Sequence, residues 1–163
     1  MDANSEEPRW LDRGQQHAWR AYLVGTTLLL DRLDDELRAA FKIGLNEYEV
    51  LVRLSETDDH RMRMSSLADA MRFSRSRITH TVKRMETMGL VHRTRAGSDG
   101  RGITCQLTPE GHAKLVAAAP MHVGGVRAHL LDLVDADDFA AMGRVFDAVS
   151  DHLVPDNPET DFR

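Results

Sequence analysis

Cysteine, aromatic residues and long apolar runs are all scarce in this chain. Cys105 is the only cysteine in 163 residues, which excludes an internal disulfide and a cysteine-rich zinc framework. Aromatic residues make up 6% of the chain while methionine occurs eight times, so an aliphatic core is expected. No apolar run approaches the roughly 18 residues of a membrane span, and residues 1–8 are too polar for a signal peptide. The sequence predicts a soluble, cytoplasmic protein with no membrane partner.

The motifs of common catalytic sites are also missing. There is no G-x-S-x-G, no H-E-x-x-H and no phosphate-cradling glycine loop, so neither an enzyme nor a cofactor is predicted. His122 and His129 lie seven residues apart on one predicted helical face, and Asp58, Asp59 and His60 cluster in one loop. These groups lack the compact spacing of metal ligands, so no metal site is predicted.

Positive charge is concentrated in one stretch of an otherwise acidic chain. Between Arg72 and Arg101, eight Lys or Arg residues stand against two acids, which gives that stretch a charge of +6. The whole chain carries −5, so the remainder carries −11. Such a concentration is the electrostatic footprint that nucleic-acid binding requires. A solvated basic face with no ligand is the alternative that charge alone leaves open.

A long helix is predicted over residues 11–41, where apolar or small residues recur at alternating steps of four and three. The stripe consists of Trp19, Leu23, Thr26, Leu30, Leu33, Leu37 and Ala40. About 28 helical residues would measure about 42 Å, longer than a small domain is wide, so part of this helix is expected to pack on a second copy of the chain. Gly44 is predicted to end it, and Asn46 with Glu49 is predicted to form the capping box of the next helix.

Two helices joined by a tight turn are predicted in the basic stretch. Ser65 is expected to cap the first, residues 66–71, and Ser74 is expected to cap the second, residues 75–88. So short a connection is typical of a helix-turn-helix. The buried stripe of the second helix is predicted at Ile78, Val82 and Met85.

Short strands are predicted at residues 62–64, 90–95 and 103–107, and the last two form a hairpin. Strict alternation in the last strand predicts that Ile103, Cys105 and Leu107 point inward, which makes Cys105 small core filler.

Two further helices are predicted after the hairpin. Thr108 is the expected cap of the first, with Pro109 at its first position, and Pro120 is expected to kink or interrupt it. Asp135 is the expected cap of the last helix. The apolar stripe of that helix is Phe139, Met142, Val145, Phe146, Val149 and Leu153.

Six local motifs follow one another in a specific order along the chain. They are Leu45-Asn46, Met64-Ser65-Ser66-Leu67-Ala68, Ser74-Arg75-Ser76, Met88-Gly89-Leu90-Val91, Ser98-Asp99-Gly100-Arg101-Gly102 and Leu107-Thr108-Pro109-Glu110-Gly111. With the order of elements, they resemble the MarR family of winged helix-turn-helix transcription regulators over residues 11–153. The resemblance implies a mainly α fold with a small β-hairpin wing (α+β), carrying long N- and C-terminal dimerisation helices.

The expected domain organisation follows from this resemblance. It comprises a disordered arm (1–10), an N-terminal dimerisation helix (11–44), the winged helix-turn-helix DNA-binding lobe (45–108), C-terminal dimerisation helices (109–153) and a disordered tail (154–163). The implied function is a homodimeric regulator that binds a pseudo-palindromic site in double-stranded DNA. Repression of nearby genes, relieved by a small aromatic or anionic effector, is the expected mode of action.

The residues expected to contact DNA lie on the two helices of the helix-turn-helix and on the wing. They are Ser65, Ser74, Arg75, Ser76, Arg77, Thr79, His80, Lys83, Arg84, Arg95, Asp99 and Arg101. Arg77 could contact a guanine edge and Arg101 a minor groove, with Asp99 orienting Arg101.

The effector site is expected between the dimerisation helices and the winged lobe, as the resemblance implies. Trp19, Tyr22, Tyr48 and Arg53 are its candidate residues, and ordinary core packing is the alternative for them. Two alternative functions also stay open. One is a winged-helix module for protein contacts without specific DNA binding, and the other is a metal-responsive regulator that uses His and Asp ligands.

Overall fold

The computed structural model describes residues 8–95 and 102–154. Within these ranges the chain forms helices and three short strands, which confirms the predicted mainly α fold with a small sheet. In chain order the elements are α1 (Arg13–Phe41), α2 (Leu45–Ser55), β1 (Arg61–Arg63), α3 (Met64–Ala70), α4 (Arg75–Thr87), β2 (Val91–Arg95), β3 (Ile103–Leu107), α5 (Pro109–His129), a 3-10 turn (Leu131–Leu133) and α6 (Ala136–Leu153). Residues 1–7, 96–101 and 155–163 lie outside the described residues, and with them most of the predicted arm and tail and the tip of the wing.

The long first helix begins and ends at residues that the sequence pattern did not indicate. Asp12 caps it: its carboxylate accepts from Gln15 N at 2.8 Å, while Gln15 Oε1 accepts from Asp12 N at 3.0 Å. The helix ends at Lys42, which adopts a left-handed conformation (φ 61°) and donates its N–H to Arg38 O. The prediction that Gly44 ends α1 was therefore wrong.

Gly44 instead begins the next helix. Its N–H donates to Glu47 Oε2 at 2.8 Å, so Gly44 is the N-cap of α2 and Glu47 its third residue. The capping box predicted for Asn46 and Glu49 was wrong, because the helix has already begun at Leu45.

The helix-turn-helix consists of α3 and α4. The expected cap at Ser65 was wrong: α3 begins at Met64 after a three-residue strand that ends at Arg63, so Ser65 already lies inside the first turn. The cap at Ser74 is confirmed, since its side chain accepts from Arg77 N at 3.2 Å. Between the helices Arg72 adopts a left-handed conformation (φ 53°), which turns the chain sharply.

The core is aliphatic and lies between α2, α3, α4, the sheet and the ends of α1 and α5. Its buried members are Leu37, Ile43, Tyr48, Val50, Leu51, Leu54, Leu67, Ala68, Met71, Ile78, Val82, Met85, Leu90, Val91, Cys105, Leu107, Leu115 and Ala118. The predicted buried stripe of α4 is thereby confirmed. Because this stripe is locked into the core, the opposite face of α4 is presented outward.

The three strands form an antiparallel sheet in the order β1-β3-β2. Cys105 and Leu107 of the central strand are buried as predicted, and burial raises the pKa of the Cys105 thiol to about 12. Ile103 is 48% exposed, contrary to prediction, because it pairs with Arg95 at the end of the hairpin, beyond the core.

Two caps predicted for the C-terminal helices are confirmed. Thr108 Oγ1 accepts from Gly111 N at 2.9 Å, and Asp135 Oδ1 accepts from Asp138 N at 2.8 Å. Pro120 does not interrupt α5, which runs unbroken to His129. Pro120 is exposed, so the carbonyl that it leaves without a partner can be hydrated.

An apolar surface remains uncovered along α1 and α6. We use the name open apolar face for the exposed side chains of Leu23, Leu30, Val145, Phe146 and Val149. No residue of α6 is buried, although its apolar side chains follow helical spacing. Among the described residues, no helix is long and apolar enough to span a membrane.

Candidate nucleic-acid interface

The outer face of α4 carries short polar and basic side chains. Ser76, Thr79, His80 and Lys83 are exposed there, opposite the buried stripe. Thr79 Oγ1 donates to Arg75 O at 2.7 Å. Within residues 8–95 and 102–154, the side chains of Ser76, His80 and Lys83 make no hydrogen bond or ion pair, so they are available to an external ligand.

The arginines of α4 are held by protein groups instead. Arg75 donates to Ser65 O, across the turn, and pairs with Asp69 at 3.1 Å. Ser65 and Ser74 are both exposed beside this contact. Arg75 therefore ties the two helices together, while its guanidinium stays at the surface.

Arg77 and Arg84 both reach toward α2. Arg77 Nη2 donates to Asn46 Oδ1 at 3.3 Å, and its guanidinium lies 3.7 Å from the centre of the Phe73 ring. Arg84 forms an ion pair with Glu47, whose side chain is only 1% exposed. Contacts within the protein therefore hold both guanidinium groups on this side of α4 in place.

On the wing, Arg95 is exposed at the end of β2, whereas Asp99 and Arg101 lie outside the described residues. The neighbouring Arg93 is turned toward the protein. Its backbone N and its Nε donate to the two oxygens of Glu86 at 2.9 and 2.8 Å. This contact joins the end of α4 to the hairpin.

The pair formed by Glu86 and Arg93 should give the fold an acid-sensitive contribution. The hydrogen bond from Arg93 holds the pKa of Glu86 below its usual 4.5. Because the pKa of Glu86 is lower in the folded state than in the unfolded state, ionised Glu86 stabilises the fold at pH values above its unfolded-state pKa. This stabilisation is lost as the pH falls through the folded-state pKa. Glu86→Gln should lower the free energy of unfolding by about 1–2 kcal/mol at pH 7, and the difference should shrink below pH 4.5 in urea titrations. An equal difference at pH 7 and pH 3.5 would contradict this account.

The four candidate ligand residues lie on two helices, Trp19 and Tyr22 on α1 and Tyr48 and Arg53 on α2. Trp19 stacks with Tyr22 at 5.7 Å, and Tyr22 stacks with Phe146 of α6 at 5.3 Å. Tyr48 is buried and stacks with His122 of α5 at 4.5 Å. Arg53, in the last turn of α2, pairs with Glu56 at 3.4 Å.

The distance between the two candidates on α1 and the two on α2 follows from the length of α1. Asp34 Oδ1 accepts from Leu45 N at 2.8 Å, so α2 begins beside Asp34. Trp19 lies 15 residues earlier in the helix, which is about 22 Å at 1.5 Å per residue. An open groove of about 270 Å³ between α1 and the end of α5 is lined by none of the four candidates.

The scattered histidines have protein neighbours. His129 Nε2 lies 2.9 Å from Glu36 Oε1, and the rings of His60 and His112 lie 6.0 Å apart. In the described part of the chain, no group of three or more His, Cys, Asp or Glu residues is close enough to hold a metal ion.

Glu47 was not predicted to be part of this site. A glutamate inside an apolar helix, three residues after a glycine, is the signal that could have revealed it. The sequence predicts only a capping role for Asn46, whereas its amide oxygen accepts a hydrogen bond from Arg77 in the structure. A helix-turn-helix with an outward polar helix, followed directly by an antiparallel hairpin, is the architecture of a winged helix-turn-helix protein.

Comparisons with known proteins agree with this architecture. A family model described as the transcriptional regulator SarA/Rot matches residues 32–117. The chain is 37% identical to Sco3205, a MarR family transcriptional regulator from Streptomyces coelicolor solved in complex with DNA, with a TM-score of 0.88 over 96% of each chain. It is 40% identical to AbsC, a MarR family regulator from the same organism, with a TM-score of 0.84 over 90% of this chain and 98% of AbsC.

A third relative is the HTH-type transcriptional repressor YetL from Bacillus subtilis, which is 30% identical over 112 residues, 66% of this chain and 67% of YetL. The chain belongs to the MarR family of transcriptional regulators. The prediction of a regulator rather than an enzyme is confirmed by these relatives.

Proposed function

We propose that the protein is a homodimeric repressor that binds a pseudo-palindromic site in double-stranded DNA. The observation that carries this proposal is the outward face of α4. There, Ser76, His80 and Lys83 have no partner among the described residues and lie beside arginines that the protein holds in place. In a two-fold dimer each protomer would offer one such helix to a half-site, with the half-sites one helical turn apart.

The homodimer is supported by the open apolar face. An 18-residue helix with an apolar stripe and no buried residue is only partly covered by its own chain. Exposed apolar patches of this kind mark interaction surfaces. A second copy is the occupant we propose, because α1 and α6 together present a stripe that two-fold symmetry can make self-complementary.

The proposed DNA contacts divide by location. Ser74 and Ser76 lie at the N-terminus of α4, where free N–H groups and the helix dipole favour phosphate. His80 would face the major groove, with Thr79 beside it and Arg77 at the flank, and Lys83 would contact a phosphate. The remaining proposed contacts are Ser65, Arg75, Arg95, Asp99 and Arg101, and Arg84 is left out because it is paired with Glu47.

Salt dependence tests this function against a protein-interaction module. Duplexes enriched from a random pool by the protein should be measured by fluorescence anisotropy at several salt concentrations. If phosphates are neutralised at both half-sites, affinity should fall about 10³-fold or more between 50 and 200 mM salt. A shallow dependence, or no enriched duplex, would favour a protein partner.

An effector that relieves repression is supported by one feature of the lobe. His122 Nδ1 is buried and makes no hydrogen bond within the described residues, and its ring stacks on Tyr48. We propose that Tyr48 and His122 receive an aromatic acid, whose carboxylate would accept from the imidazole. Trp19 and Tyr22 would reach this site only from a second copy.

Benzoate is a suitable probe of the effector site. It should weaken DNA binding by the wild type, and DNA should weaken benzoate binding by the same factor, as linkage requires. His122→Phe keeps an aromatic ring against Tyr48 but removes the ring nitrogens, so the variant should bind DNA normally and no longer respond. A response of equal size in the variant would contradict this site.

A further inference from the structure

Four charged side chains meet where α1, α2 and α4 converge. Asp34 and Arg38 of α1 form one pair, and Glu47 of α2 and Arg84 of α4 form the other. The pairs also influence each other. Burial works to raise the pKa of Asp34, but the hydrogen bonds from Arg38 and Leu45 N and the charge of Arg84 hold it below its usual value. The cluster therefore links α4, the helix proposed to read DNA and called the recognition helix below, to α1.

Glu47 is the centre of this cluster. Its residue exposure is 0%, its Oε2 accepts from Gly44 N at 2.8 Å and its Oε1 lies against Arg84 Nη2. A buried carboxylate is tolerated only when it is paired, and removing one partner leaves an uncompensated charge. Arg84 is 55% exposed along its side chain, so it reaches inward from the surface of α4 to meet this charge.

The end of α1 approaches the start of α2 closely beside this cluster. A Cβ at Gly44 would overlap Arg38 Nη2 and would lie 2.6 Å from Asp34 Oδ1. A side chain at Gly44 would therefore have to displace the ends of the Arg38 and Asp34 side chains. Glu47 accepts from Gly44 N at this junction and pairs with Arg84, so it connects the junction to α4.

We propose that Glu47 is a positioning residue that holds Arg84, and through it α4, at a fixed angle to α1. This inference rests on the proposed DNA-binding function. In a two-fold dimer the distance between the two recognition helices depends on how each is attached to its dimerisation helix. That distance decides whether two half-sites one helical turn apart can be read together. Arg84 thus acts inward and makes no phosphate contact.

The test compares Arg84→Met, Glu47→Gln and the double variant with Lys83→Met, using a duplex selected by the wild type. Lys83 is the matched control, since it is the neighbouring cation of α4 and is exposed without a partner among the described residues. Losing a phosphate contact lowers the slope of log K against log salt by about 0.9 per contact. In a two-fold complex Lys83→Met should therefore lower the slope by about 1.8.

Arg84→Met and Glu47→Gln should each weaken DNA binding by roughly tenfold, which is a typical size for coupling between sites. The slope of log K against log salt should stay unchanged in both variants. The double variant should be no weaker than the weaker single variant, because both changes break the same contact. A merely structural loss would lower the melting temperature without changing the affinity of the folded protein.

Two results would overturn the inference. One is a slope for Arg84→Met that falls like that of Lys83→Met, and the other is additive losses in the double variant. If Glu47→Gln does not fold, the salt slopes of Arg84→Met and Lys83→Met still show whether Arg84 contacts phosphate. A wild type that selects no duplex would instead refute the DNA-binding function itself, and this inference with it.

Discussion

Val149→Glu should convert the protein into a monomer that binds DNA weakly. Val149 is 44% exposed on the open apolar face of α6. Two-fold symmetry would bury two glutamates in one interface, and an unpaired buried charge costs several kcal/mol. We expect the dimer dissociation constant to rise by roughly 100-fold or more, equivalent to about 3 kcal/mol. Because the two half-sites would no longer be bound together, DNA affinity should fall by about 10²–10⁴.

Ala140→Glu is the matched control for this experiment. Ala140 is an exposed residue of the same helix, on the side opposite the apolar stripe, so the added charge should stay in water. Analytical ultracentrifugation should show a monomer for Val149→Glu and a dimer for Ala140→Glu. If Val149→Glu remains a dimer at micromolar concentration, the open apolar face is not the interface.

Gly111→Ala should produce the largest loss of stability from a single methyl group. Gly111 lies in the first turn of α5, where a Cβ would overlap Leu90 O and would lie 2.8 Å from Leu107 Cδ1. Leu90 O already accepts from Thr108 N at 3.1 Å, so it cannot move away without breaking that bond. We expect a loss of about 3 kcal/mol, the upper end for overpacking, and a melting temperature lower by about 10 °C.

Gly124→Ala provides the comparison within the same helix. No atom lies within 4 Å of a Cβ at Gly124, so alanine should be neutral or stabilising by up to about 1 kcal/mol through its helix propensity. Both variants should be melted at one protein concentration, because the stability of the proposed dimer would depend on it. Equal stability of the two variants would show that α5 does not pack on Leu90 as described.

The parts of the fold that the sequence predicted well depend on local signals. The second helix of the helix-turn-helix begins where predicted because Ser74 is a favourable cap and the spacing of Ile78, Val82 and Met85 is helical. Thr108 and Asp135 were recognisable for the same reason. Burial of Cys105 followed from simple alternation in a strand.

The errors arose where tertiary contacts choose between local alternatives. Gly44 and Asn46 are both good N-caps, and the choice is made by Glu47 reaching Gly44 N and by Asp34 accepting from Leu45 N. Ile103 follows the alternation but lies past the edge of the core, which the pattern cannot reveal.

The candidate site was only partly visible in the sequence. The basic stretch identified α4, but the sequence could not distinguish cations held by the protein from those that are free. Arg84 meets Glu47 from 37 positions away in the chain, and Arg77 meets Asn46 from 31, so neither contact has a local signature. Lys83, by contrast, is free among the described residues.

The proposed function requires two chains to bind one symmetric DNA site together. The decisive measurement is the affinity of the wild type for a selected duplex and for a scrambled duplex at one salt concentration, together with the number of chains bound. We expect two chains per duplex, half-sites about 10 base pairs apart and a selected duplex bound about 10³-fold more tightly or better. Equal affinity for both duplexes, or one chain bound per duplex, would contradict the proposed two-fold recognition of DNA.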